Sequence, residues 1–206
     1  MIDPSNITNF NLTNKELEEH ILFWIAAAGK NGRTAARCLE VFLTMITYDS
    51  MSPFDALRNQ YLYDVKKKDN PEHVTMAELM KLAGIGCYTH KSKTFIELSH
   101  TPIDLNTCSV EDLEKIYGIG PKTARCFILH SRKGARLSGL DTHMLKHLRE
   151  MGIEDVPKST PSSKKKYMIL EQEVLRLADE AGIDIAVYDL MIWNKYSVKS
   201  IRILDK

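Results

Sequence analysis

Lys122 stands where a lysine can act as a nucleophile. It falls in the first turn of a predicted helix that Pro121 opens, directly after the turn Gly118-Ile119-Gly120. Proline costs nothing at the first helical position, because that N–H has no partner within the helix. The unpaired N–H groups at a helix start, with the positive end of the helix dipole, disfavour an ammonium ion. A lysine amine freed of its proton is nucleophilic near neutral pH. The same N–H groups form an anion site, and two glycines let another backbone come close, so a phosphodiester suits this turn. Gly118 and Gly120 are therefore candidate backbone contacts. Asp141 follows nineteen residues after Lys122, just before the helical pattern Thr142 to Met151, in an N-cap position. On residue type alone, Lys122 reads as a phosphate contact and Asp141 as a helix cap. The chemical reading needs the two together.

The elements around them are helical. Leu113 and Ile116 lie on one face of a helix before the turn, and Ala124, Phe127 and Ile128 continue that face after it. Upstream, residues 1–12 are polar and read as an arm. Thr13 with Glu16 and Thr75 with Glu78 make capping boxes, and Ser52-Pro53 opens a further helix through Leu62. Residues 64–74 read as a charged, solvated loop. Gly84-Ile85-Gly86 repeats the glycine spacing of the main turn. In the helix pattern Cys87–His100 that follows, Lys91 and Lys93 are further candidates for contact with a nucleic-acid backbone, plain solvated surface being the alternative. After Gly152 the segment IEDVPKSTPSS reads as a linker. Helices over 164–181 and from about Ile185 to Tyr196 complete the chain. No stretch alternates with period two, so the expected class is all-α.

Composition narrows the rest. The 206 residues suffice for one large or two small domains. A net charge of +1 means that a nucleic-acid surface must come from clustered rather than excess basic groups. The four cysteines, at 38, 87, 108 and 126, show neither zinc nor disulfide spacing and fit a reduced intracellular protein. No run of eighteen apolar residues occurs, so no membrane span or membrane partner is expected.

The segment IYGIGPKTA, followed by LDTHMLKHL, resembles the helix-hairpin-helix and G/P…D loop of the HhH-GPD DNA glycosylase superfamily. The resemblance implies a two-domain helical fold, with residues 1–28 plus 143–206 as one domain and 29–142, carrying the hairpin, as the other. It places the active site in a groove between them. It gives Lys122 the attack on C1′ of a damaged nucleotide and Asp141 the supporting role. It also implies damaged double-stranded DNA as partner, a monomer working in the cytoplasm or nucleoid, and no metal or organic cofactor, apart from a monovalent cation at the hairpin. Some relatives hold a C-terminal iron–sulfur cluster on four closely spaced cysteines. With Cys126 the last cysteine here, that cluster is excluded.

The C-terminal region narrows the resemblance. YDLMIW puts Asp189 and Trp193 on one helix face, and the sequence reaches Lys206. With YTHKSKTFIELS before the hairpin and KKYMILE after it, this is similar to the small archaeal and bacterial 8-oxoguanine DNA glycosylase/AP lyases. The similarity implies base recognition by Asp189, Trp193 and the carboxylate of Lys206. Two departures stand out. The span from Trp193 to Lys206 is a few residues longer than the family's. Ala28 also occupies the place where many relatives carry Gln or Asn to fill the gap left by the extruded nucleotide, with Lys30 or Asn31 as substitutes. Two alternatives stay open: a pyrimidine-specific lyase resembling endonuclease III, and a non-catalytic helix-hairpin-helix DNA-binding module.

Overall fold

The structure is a computed structural model that describes the backbone of residues 2–48 and 50–204, and side chains within that range up to Ser197. All regular structure among the described residues is helical. None of the helices is long and apolar enough to cross a membrane. The chain forms two compact units, one of residues 1–4 and 11–123, the other of 5–10 and 124–206.

The first unit holds α1 (Asn14–Ala27), α2 (Gly32–Ile46), α3 (Pro53–Lys67), α4 (Met76–Leu82), α5 (Tyr88–His100) and α6 (Val110–Glu114). Each begins where a side chain relieves the orphan N–H groups of its first turn, except α5. Thr13, Asn31, Ser52, Thr75 and Ser109 accept from the N–H three residues on. The α5 start is different: Cys87 takes a left-handed conformation, φ +53°, with no side-chain cap. The core is apolar and tight. Ile21, Leu22, Phe42, Leu57, Phe95, Leu98 and Leu113 are fully buried, and the rings of Phe42 and Phe95 lie 6.0 Å apart. Truncating any one of these to alanine would cost roughly 2–5 kcal/mol.

The second unit holds α8 (Thr142–Glu150), α9 (Lys164–Glu180) and α10 (Ile185–Leu204). Leu140, Met144, Leu145, Leu148, Tyr167 and Val174 form the centre of its core. Helix α7 (Pro121–Ser131) is buried from Thr123 onward, and the boundary between the units falls within it, after Thr123.

Several expectations are corrected. The expected domain boundaries at residues 28 and 142 give way to the division at 123, and α1 packs with α2, α3 and α5 in the hairpin unit. Its buried Leu17, Ile21, Leu22 and Ile25 need that core. The amino-terminal segment is not a loose arm: Ile7 is buried and the Asn9 N–H donates to the His130 carbonyl at 2.9 Å. Helix α3 runs past Leu62 to Lys67, where Lys66 and Lys67 oppose the negative end of its dipole. The segment after Gly152 is pinned rather than free. Arg149 donates to the Pro157 carbonyl at 2.6 Å and Thr160 Oγ1 to the Leu140 carbonyl at 2.8 Å. Helix α10 continues to Leu204 instead of ending near Tyr196.

The capping boxes carry a pH consequence. Hydrogen bonds from the Thr13 and Thr75 backbones, then from their hydroxyls, hold the Glu16 and Glu78 carboxyls below their usual range. A carboxyl depressed in the folded state adds stability that is complete above the unfolded value of about 4.3. That stability is lost as pH falls through the folded value. Thermal melts followed by circular dichroism should show a falling Tm on acidification below about pH 4. A Glu16→Gln, Glu78→Gln double variant should fall less steeply, since its amides cap without binding a proton. Parallel curves for the two proteins would contradict this.

Candidate active site

The turn between α6 and α7 is fixed from below by α5. The Ile119 N–H donates to the Ile116 carbonyl at 3.1 Å, and both isoleucines are buried. Tyr117 N–H donates to Glu97 Oε1 at 2.9 Å, and the Tyr117 hydroxyl lies 2.7 Å from His90 Nδ1, with the two rings stacked. Gly118 has φ +79°, and a Cβ there would sit 2.2 Å from Thr94 Oγ1, so neither the backbone nor the space admits a side chain. Gly120 differs: its φ is ordinary, and a Cβ would meet nothing within 4 Å. The chain's own packing therefore does not require glycine at 120.

That contrast is testable. Gly118→Ala should lose about 1–3 kcal/mol of stability through strain and the Thr94 contact. Gly120→Ala should melt with the wild type. If the turn receives a phosphodiester, however, Gly120→Ala should bind duplex DNA more weakly, because the methyl occupies the space of the approaching backbone. Fluorescence-anisotropy titration beside a thermal melt decides it. Wild-type affinity in Gly120→Ala would remove the turn as a backbone contact.

Lys122 is the second residue of α7 and is half-buried. Among the described residues, no hydrogen bond or ion pair engages its amine. Lys93 is exposed on α5. Lys91, expected beside it at a nucleic-acid backbone, is instead buried. Its Nζ donates to the carbonyls of Ala26 at 2.8 Å and Ala28 at 2.9 Å, closing the C-terminal end of α1. Burial lowers its pKa below the usual lysine value, with smaller opposing contributions from Cys87 and Cys38. The ammonium is spent on orphan helix carbonyls and is not presented to a phosphate. Both proposed gap-fillers are committed as well. Lys30 donates to the Gly84 carbonyl, and Asn31 caps α2 by accepting from Thr34 N–H at 3.2 Å. A cleft of about 220 Å³ lined by Lys15, Glu19, Leu39 and Leu43 lies in this unit and contains none of the candidate residues.

In the second unit Asp141 is the N-cap of α8. Met144 N–H donates to its Oδ1 at 2.8 Å, which fixes the carboxylate at the helix start. Asp189 and Trp193 lie one turn apart on α10, both half-buried. Asp189 Oδ2 is 3.2 Å from Nε2 of His130, which is completely buried, and His130 Nδ1 is 2.7 Å from Thr8 Oγ1. A carboxylate must be met by an N–H, so in the neutral ring Nδ1 accepts from the Thr8 hydroxyl. Sequence reasoning missed Thr8 and His130. The available signal was a histidine inside the apolar run of α7. Lys206 lies outside the described residues.

A helix-hairpin-helix motif family matches residues 101–130. The structure of an 8-oxoguanine glycosylase/lyase from Methanocaldococcus jannaschii, in complex with a 15mer DNA containing 8-oxoguanine, is similar over 91% of this chain and 83% of its own. The TM-score is 0.56 and the sequence identity 21%. This is the HhH-GPD DNA glycosylase fold. Within that fold Gly118, Gly120 and Lys122 form one continuous turn-and-helix start in the first unit, with Lys93 on the α5 that supports it. Asp141, Asp189 and Trp193 belong to the second.

Proposed function

We propose that this protein is a bifunctional DNA glycosylase/AP lyase of base excision repair that removes 8-oxoguanine from duplex DNA. The observation that carries the reading is a half-buried lysine at the start of α7 whose amine no described residue engages, directly after a hairpin turn with room for a phosphodiester. The reading is supported by the motif family and by the likeness to a glycosylase/lyase fold.

Backbone N–H groups around Gly118 and Gly120 hold a phosphate 3′ to the lesion, and hairpin carbonyls offer a place for a monovalent cation. The Lys122 amine attacks C1′ of the flipped nucleotide with its lone pair, and the bond to the base breaks with its electron pair leaving on the base. The Asp141 carboxylate stabilises positive charge that develops on the sugar. Loss of a proton from nitrogen and ring opening give a Schiff base. Removal of a 2′ proton then expels the 3′ phosphate by β-elimination. Asp189 and Trp193 are the residues we assign to the extruded base, Trp193 offering an aromatic face and Asp189 a carboxylate held in place by His130.

The test is a borohydride trapping and excision panel on duplexes carrying 8-oxoguanine, thymine glycol, uracil or a preformed abasic site. Trapping with 8-oxoguanine in preference to the pyrimidine lesions is expected. Preference for thymine glycol would overturn the lesion assignment, and binding with no trapping on any substrate would leave a non-catalytic DNA-binding module.

A further inference from the structure

The three residues before Asp141 form a buried, irregular segment. Such a segment leaves backbone N–H and C=O groups that no helix or sheet ladder satisfies. Here side chains from elsewhere in the second unit meet them. The Tyr167 hydroxyl, from α9, donates to the Ser138 carbonyl at 2.8 Å and accepts from Leu140 N–H at 3.0 Å. Glu171, one turn further along α9, accepts from Ser138 N–H at 2.9 Å through Oε1. Thr160 Oγ1 donates to the Leu140 carbonyl at 2.8 Å. The Asp141 N–H closes the segment on the Gly139 carbonyl at 2.7 Å. Ser138 and Leu140 are completely buried, and Tyr167 nearly so.

The groups that hold the segment are themselves held. Arg125 of α7 donates through Nε to the same Glu171 Oε1 at 2.9 Å, with both side chains buried, and its guanidinium carbon lies 4.5 Å from the centre of the Tyr167 ring. A buried ion pair gains little over apolar residues of the same volume. An apolar pair, however, could not accept the Ser138 N–H. Burial keeps the Tyr167 phenol far above its usual ionisation range, so its proton stays available to Ser138.

We propose that Tyr167 and Glu171 are positioning residues for the reaction: they fix the peptide segment 138–140 and thereby set where the Asp141 carboxylate stands. The inference rests on the reading of Asp141 as the group that assists Lys122. Catalytic groups displaced by about an ångström lose most of their effect, and two backbone hydrogen bonds to one hydroxyl define a position to better than that.

The experiment is a double-mutant cycle on the full chain, read as single-turnover excision of 8-oxoguanine and as duplex binding. Tyr167→Phe removes one oxygen and keeps the ring. It should slow excision roughly ten- to a hundredfold while leaving duplex affinity unchanged. In an Asp141→Asn background the same change should add no further loss, because the residue that Tyr167 positions no longer contributes. A purely structural role would lower the active fraction equally in both backgrounds, so equal losses overturn the inference, as does a wild-type rate in Tyr167→Phe when Asp141→Asn is slow. A wild-type rate in Asp141→Asn itself would instead sink the underlying reading of Asp141. If Tyr167→Phe does not accumulate folded, Thr160→Val carries the same cycle from a half-buried position with a smaller expected loss.

Discussion

Lys122→Gln is expected to abolish borohydride trapping and strand cutting while duplex binding stays within a few fold. Glutamine keeps most of the length of lysine and can still hydrogen-bond a phosphate, but its amide nitrogen is not a nucleophile. The two readings of Lys122 separate on this variant. If the lysine only contacts a phosphate, losing it removes one charge contact, flattens the salt dependence of log K by about 0.9 and weakens all sequences alike. If it is the nucleophile, covalent capture vanishes at undiminished occupancy, so trapping should be assayed at saturating protein. Persistent trapping would place the nucleophile elsewhere. Lys91 is a poor substitute, since its amine is buried against two carbonyls.

Asp141→Asn pits the cap against the chemistry. An asparagine oxygen can accept the Met144 N–H much as the carboxylate does, since Asn and Asp are comparable N-caps, so the folded protein should lose well under ~1 kcal/mol. A neutral amide facing a developing positive charge on the sugar loses far more, and single-turnover excision should fall by two or more orders of magnitude, the scale of removing a preorganised electrostatic group. The pair of measurements is Tm and excision rate on one preparation. An unchanged rate beside an unchanged Tm would reduce Asp141 to the first residue of α8.

What could be read from the sequence was local. Thr13 with Glu16, Ser52-Pro53, and Thr75 with Glu78 signalled their helix starts, because a cap reaches only three residues along the chain. Gly118 could be picked out because a left-handed position leaves few residue choices. The placement of α1 was illegible, since its apolar face fits either unit equally well until α2, α3 and α5 are in place. Lys91 was misread although the signal was present. With Phe95 and Leu98 it falls on one helical stripe, which puts the lysine on the buried face and Lys93 on the wet one. Glu171, flanked by Leu170 and Val174, announced a buried carboxylate in the same way. Its partner Arg125 sits in an apolar run on another helix, and that pairing is tertiary.

The burial of Lys91 gives the first unit a built-in reporter. A lysine sealed against α1 cannot meet an acylating reagent in water, whereas Lys93, two residues on, is freely accessible. Acylation at 91 must wait for α5 to part from the end of α1. The ratio of labelling at the two sites, followed by peptide mass spectrometry over time, therefore measures how often that junction breathes.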